Sequence, residues 1–297
     1  MNVPIALPLG RRWRAGARPR SDAHPRRRHA RRTPSLWIGA ALVGALFLAA
    51  LLAPMLAPAP PDLMQPELRL QPPRLDHPFG TDIFGRDMLS RVLYGARLAV
   101  QVSLATVTLA AIPGIALGLL AGFHQGWTDQ VLARIMDVWM AFPGLLLAVV
   151  LVARLGPSLP TAILALGVIG APTFFRLTRS STLSGSAQLY IEAARAVGVS
   201  NQRTIVRHLL PNMLSPLIVL ITLNLGATLL AVSGLSFIGL GAQPPQPEWG
   251  ALLAAGRDYM DTAWWLALAP GLAITLSVMG FNLLGDGLRD VLGTRQN

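Results

Sequence analysis

The chain has 297 residues, of which 53% are hydrophobic and 13% charged, with a net charge of +11. Soluble domains carry about 25% charged residues, so most of this chain avoids water. Cysteine and lysine are both absent, which excludes disulfides, thiolate metal sites and any phosphate-binding loop that depends on a lysine.

The first segment, residues 1–35, holds ten arginines between Arg11 and Arg32 against one acid, Asp22. Its prolines and lack of apolar residues predict a disordered tail. A basic tail can bind nucleic acid, but this one runs straight into an apolar span, so the positive-inside rule makes it a cytoplasmic anchor and nucleic acid is not an expected partner. That span, Leu36–Leu56, has 21 residues. Signal-peptide cores run to about 15 residues, whereas about 20 cross a bilayer, so 36–56 reads as a retained first transmembrane helix.

A segment at 57–97 follows, opening on a proline-rich run from Pro58 to Pro73. Five further apolar stretches lie at Leu98–Phe123, Val131–Val152, Leu159–Phe175, Leu214–Leu240 and Ala263–Leu284. In hydrocarbon every backbone N–H and C=O needs an internal partner, so these stretches are expected to be helices. The fold class is therefore an all-α integral membrane protein with about six transmembrane helices. Pro113-Gly114 and Pro143-Gly144 fall inside stretches and predict kinks. Trp249, Tyr259, Trp264 and Trp265 flank the last stretch and read as an interfacial aromatic belt. Arginines crowd the tail, the 176–213 loop and the C-terminal end. On the opposite side acids nearly balance them, which places both termini in the cytoplasm and 57–97 outside it.

The inner loop reads as a helical hairpin. Tyr190 to Val197 forms helix readily, Gly198 stops it, and Ser200 or Asn201 can cap a second short helix. Pro211 ends that helix or opens the next span. A loop of this length between membrane helices is unusual unless it docks something.

The hairpin contains Glu192-Ala193-Ala194, then Gly198, then Leu210-Pro211. It resembles the E-A-A-x-x-x-G-x(9)-I-x-L-P loop of bacterial ABC-importer permeases, with His208 at the isoleucine position. His77-Pro78-Phe79-Gly80-Thr81-Asp82 with Gly85-Arg86-Asp87, Asp137 with Ala141-Phe142-Pro143, and Pro247-Glu248-Trp249-Gly250 are similar to stretches of dipeptide and oligopeptide permeases. So is Asn282 to Asp290 at the C-terminal end. The resemblance runs from about Leu36 to Leu292. It identifies the chain as a member of the C-type permeases of the dipeptide, oligopeptide, nickel and glutathione importers. It implies a type I ABC-importer bundle at 98–290, with a coupling loop at 190–211 whose small alanines let a helix seat in a cleft of the ATPase, and a short C-terminal tail at 291–297. It implies as partners a homologous second permease, two ABC ATPases, a periplasmic or lipid-anchored solute-binding protein and membrane lipid. No cofactor is expected on this chain; ATP and Mg2+ would sit on the ATPase subunits. The cargo implied is a peptide or similar small solute crossing the cytoplasmic membrane, with nickel or glutathione as the alternative.

Leu183-Ser184-Gly185-Ser186-Ala187-Gln188 looks like the L-S-G-G-Q signature of ATPase subunits, but without lysine no phosphate loop accompanies it, so ATP is expected on a different polypeptide. Arg134 and Asp137, three apart, can pair on one helix face and are a candidate gating pair. The five histidines are scattered, so no metal site is expected. An intramembrane enzyme would need a nucleophile–base pair, and Ser103, Ser233 and Ser277 have no histidine in a neighbouring span. An ion channel would need a filter sequence, and none is evident.

Overall fold

A computed structural model describes residues 34–293; the arginine-rich tail falls almost wholly outside them, as does Arg295. Ten α-helices follow in order: α1 (Pro34–Leu56), α2 (Met88–His124), α3 (Gly126–Met140), α4 (Gly144–Leu155), α5 (Leu159–Ser186), α6 (Leu189–Ala196), α7 (Asn201–Thr204), α8 (Leu210–Phe237), α9 (Trp249–Arg257) and α10 (Trp265–Gly293). α1, α2, α5, the continuous run from α7 through α8, and α10 are long and apolar enough to cross a membrane. α3 and α4, bent by 81° to one another, pass the same test only together, as a broken span or a re-entrant loop, so the described residues hold five candidate crossings, or six with this pair.

Glycines set the closest helix approaches. α2 carries Gly114, Gly118 and Gly122 at four-residue spacing, all facing α5. A Cβ on Gly118 would lie 2.7 Å from the Phe175 carbonyl oxygen, and one on Gly122 would lie 2.6 Å from Thr182 Cβ. In lipid no hydrophobic force separates helix from solvent, so association rests on such close backbone contact. The same device seats α1 on α10, where a Cβ on Gly287 would lie 2.5 Å from Leu36 Cα. The main core lies where these pairs meet, joining Leu46, Val107, Phe174, Leu225, Trp249 and Phe281.

Several boundaries differ from the sequence expectation. α5 runs on to Ser186, through residues 176–186 that the sequence reading assigns to the inner loop, and α10 runs on to Gly293. The second helix begins at Met88, inside the segment read as extramembrane, because Asp87 caps it by accepting a hydrogen bond from Ser90 N at 2.7 Å. With 37 residues it is about 55 Å long, more than the hydrocarbon core of about 30 Å, so it projects well beyond the core. The expected third span, Val131–Val152, is two helices rather than one kinked helix. Both Pro113 and Pro143 lack an N–H, yet α2 continues through Pro113. The difference is support: α2 is held along α5 beyond its proline, whereas α3 buries only Met136. Nothing holds the chain straight across Ala141–Pro143. The first N–H groups of α4 consequently have no helical acceptor, and no side chain caps them.

Candidate functional site

The 189–211 hairpin hangs below α5. Two residues, Ala187 and Gln188, separate α5 from α6, and Ile191 N donates to the Gln188 carbonyl at 2.9 Å. Gly198 has φ of +81°, a left-handed turn that reverses the chain after α6. Ser200 is the backbone N-cap of α7 without a side-chain bond. α7 then runs into α8 through Ile205–Leu209, a π-type stretch in which Leu210 N donates to the Ile205 carbonyl five residues back. Pro211 therefore opens the membrane helix rather than ending the hairpin, and the wider turn accommodates the N–H it lacks.

One side of the hairpin is buried and the other is bare. Ile191 and Leu209 form a small core with Phe123 and Ile205, fastening the hairpin to the C-terminal end of α2. His208, at the position where the resembling pattern has isoleucine, tilts over the Tyr190 ring at 6.4 Å, and its carbonyl accepts from Asn212 Nδ2 at 2.9 Å. Asn212 Nδ2 also donates to Tyr190 Oη at 2.9 Å. Ile205, a turn before His208, supplies the apolar contact there. On the bare side, Leu189 is 81% and Val197 80% exposed, and Glu192, Ala193 and Pro211 are also exposed. Leu210 is half-buried, and Ala194 lies within α6. Leu183–Ser186, the stretch like an ATPase signature, is the last turn of α5.

The expected Arg134–Asp137 pair does not form. Asp137 accepts instead from Arg176 Nη2 of α5 at 2.9 Å. One helical turn along, Arg179 grips Asp129 with two bonds, from Nε to Oδ1 and from Nη2 to Oδ2. Arg134 points the other way, onto an apolar cleft of about 670 Å³ inside the α3–α4 bend, walled by Val138, Phe142, Leu151, Leu155 and Val168. The spacing of three was a correct neighbour rule within one helix, but the arginines of α5 approach the same acids from the side.

The sequence reading also missed how the segment before α2 is built. Asp82 accepts from Phe84 N, Arg86 N and Arg86 Nε at 2.7–2.9 Å, and His77 Nδ1 lies 2.9 Å from Asp87 Oδ1. Arg91, 3% exposed, reaches the Pro61 carbonyl at 3.0 Å. Trp249 and Trp265 are buried rather than belting a bilayer surface: Trp249 Nε1 donates to the Val92 carbonyl at 3.0 Å and Trp265 Nε1 to the Thr81 carbonyl at 3.2 Å. Of the four belt candidates, Trp264 alone is exposed as a belt residue would be, and Tyr259 is half-buried. Glu248 caps α9 through Ala251 N and accepts from Ser233 Oγ, both at 2.9 Å. The G-T-D-x-x-G-R-D and P-E-W-G motifs therefore form one polar cap across the ends of α2, α8 and α10.

Residues 114–297 match the family described as binding-protein-dependent transport system inner membrane component, and residues 26–73 match the N-terminal transmembrane domain of oligopeptide transport permease C. The chain is 46% identical over 255 residues to the dipeptide transport system permease protein DppC of Alkalihalophilus pseudofirmus, covering 86% of this chain and 84% of that one. It is 43% identical over 220 residues to the glutathione transport system permease protein GsiD of Pectobacterium atrosepticum, covering 74% and 73%. Among solved structures, a chain of the inward-facing MetNI methionine ABC transporter superposes with a TM-score of 0.55 at 18% identity, covering 69% of this chain and 96% of that one, and so shares the fold. The buried hairpin core, the outer cap and the helix order thus sit in a chain that belongs to the binding-protein-dependent transport system inner-membrane components, as a C-type permease of peptide ABC importers.

Proposed function

We propose that this permease carries peptides or closely similar small solutes inward across the cytoplasmic membrane, and that the 190–211 hairpin couples it to ATP hydrolysis on partner ATPases. The observation that carries the coupling is the two-sided hairpin: Ile191 and Leu209 lock it to the bundle, while Leu189 and Val197 present bare apolar surface beyond it. Exposed apolar side chains outside the bilayer mark a surface that another protein covers. The bare side adds Glu192 as a charged hold and Ala193 as a small residue for close seating.

As a permease component the chain is not itself an enzyme. The expected assembly has a homologous second permease, two ATPases holding ATP and Mg2+, and a solute-binding protein outside. Peptide cargo is supported by relatives named as dipeptide and di/tripeptide permeases. Glutathione, named for other relatives, is itself a small peptide, so both readings share one recognition chemistry. With α3–α4 read as one crossing the number is even, and the arginine bias supports a cytoplasmic position for both termini.

Gly198 provides the test. Nothing lies within 4 Å of a Cβ added there, so substitution acts through φ alone, at about 1–2 kcal/mol for a left-handed side-chain-bearing residue. Gly198→Val, and more mildly Glu192→Ala, should leave membrane abundance near normal while lowering uptake and the amount of ATPase co-purified per permease. Full ATPase association and normal uptake in Gly198→Val would remove the coupling assignment.

A further inference from the structure

We propose that Arg179–Asp129, backed by Arg176–Asp137, is a strut through which movement of the hairpin swings α3 and the α3–α4 bend. The proposal rests on reading the hairpin as the ATPase-coupling element. It identifies Arg179 and Asp129 as positioning residues for the transport cycle.

α5 is one 28-residue helix, tied to the hairpin at one end through two intervening residues. The glycine seam binds α5 to α2 by backbone contact, so these two helices behave as one body. α3 is attached quite differently. It leaves α2 through Gln125 and Gly126, both at positive φ, and buries only Met136 along its 15 residues. Apolar packing, in which Met136, Leu132 and Ala133 meet Ala121 and Phe175, holds it at one patch and does not by itself fix its direction. The two ion pairs to α5 do, and their spacing shows how. Asp129 and Asp137 are about 12 Å apart along α3, whereas Arg176 and Arg179 are about 4.5 Å apart along α5. The two arginines splay from one turn of α5 to acids about two turns apart on α3, as two stays hold a boom.

The stays are unequal. Arg179 holds Asp129 in a two-toothed contact, with Asp129 largely buried, while Arg176 makes a single contact in which both side chains are half exposed. Paired geometry of this kind fixes orientation as well as distance, which a lysine or a neutral amide cannot reproduce. Beyond the stays lies the bend at Ala141–Pro143, whose non-helical backbone is the flexible joint of the third crossing. A displacement of α5 thus reaches the joint through Asp129 as well as through the Met136–Phe175 contact.

The absence of cysteine from this chain makes the test direct, since a single introduced thiol has no background on the permease, whose labelling is read after it is separated from its partners. In the assembled importer, Phe142→Cys at the bend is titrated with a water-soluble thiol reagent, without nucleotide and with a non-hydrolysable ATP analogue. The expected result is a severalfold change in reactivity on adding the analogue. Asp129→Asn should abolish that change while ATPase subunits remain bound at the wild-type ratio, and the exchange Asp129→Arg with Arg179→Asp should restore much of it. Arg179→Lys, which keeps the charge but not the two-toothed grip, should behave like Asp129→Asn and serves if that variant accumulates poorly. A nucleotide response that survives in both single variants, or a bend whose reactivity never responds to nucleotide, overturns the strut. Failure of the coupling reading looks different: Gly198→Val would then keep its ATPase subunits and its response.

Discussion

At Gly118 a single hydrogen atom decides how closely two membrane helices approach. An added Cβ would sit 2.7 Å from a backbone oxygen and 2.8 Å from Thr178 Cβ, and neither can step aside without moving α5. Gly118→Leu should therefore force α2 and α5 apart, at about 1–3 kcal/mol or more for overpacking. Thermal unfolding of the purified permease in detergent would register the loss, and a melting curve unchanged from wild type would show that the seam is slack. Displacing α5 would also carry Arg179 away from Asp129, so this one substitution tests the seam and strains the strut together. The four-residue spacing of Gly114, Gly118 and Gly122 was visible in the sequence, but its partner helix was not. Ion pairing was misjudged for a related reason: an i, i+3 rule sees only one helix, and the acids of α3 answer to arginines 39 and 50 positions later.

Among the elements, the segment before α2 departs furthest from its expected character. The sequence shows there only an extramembrane segment opening on six prolines, yet the part after them is a built cap whose charges are internally spent on Asp82, Asp87, Arg86 and Arg91. Asp87 serves two tasks there, capping α2 and meeting His77. Asp87→Ala should lose about 1 kcal/mol of capping and strand polar partners in a buried site at a further cost of about 1–3 kcal/mol. Trypsin should then cut faster after the exposed Arg69 and Arg74, while cleavage at wild-type rate would argue that the cap closes without Asp87. Apolar runs revealed the crossings because hydrophobic length is a local property. The cap, the buried Trp249 and Trp265 and the break at Pro143 depend on contacts between distant segments, which no window along the sequence contains. The hairpin was legible because its turn glycine and small residues act locally, although the π-type stretch that absorbs Pro211 was not.

For the molecule as a whole, the proposed orientation rests on reading α3–α4 as one crossing, which makes the number even, and on the arginine bias of the sequence. Reporter fusions after Asn297 or within 185–195 should read as cytoplasmic, and those near Gln65 and Gln246 as periplasmic; a periplasmic C-terminus would require an odd number of crossings and refute the topology. The same series bears on the third crossing, and there the bend has a consequence for biogenesis. A membrane-inserting machine meets segments in order of synthesis, and α3 and α4 are about 22 Å and 18 Å long, each short of a hydrocarbon core of about 30 Å. The stays that orient α3 come from α5, which emerges afterwards. A chain truncated at Leu155 and fused there should consequently distribute its reporter between both sides of the membrane, whereas a fusion following the whole of α5 should settle on one. The third crossing is thus a passenger during synthesis, committed to the bilayer only when the arginines behind it arrive.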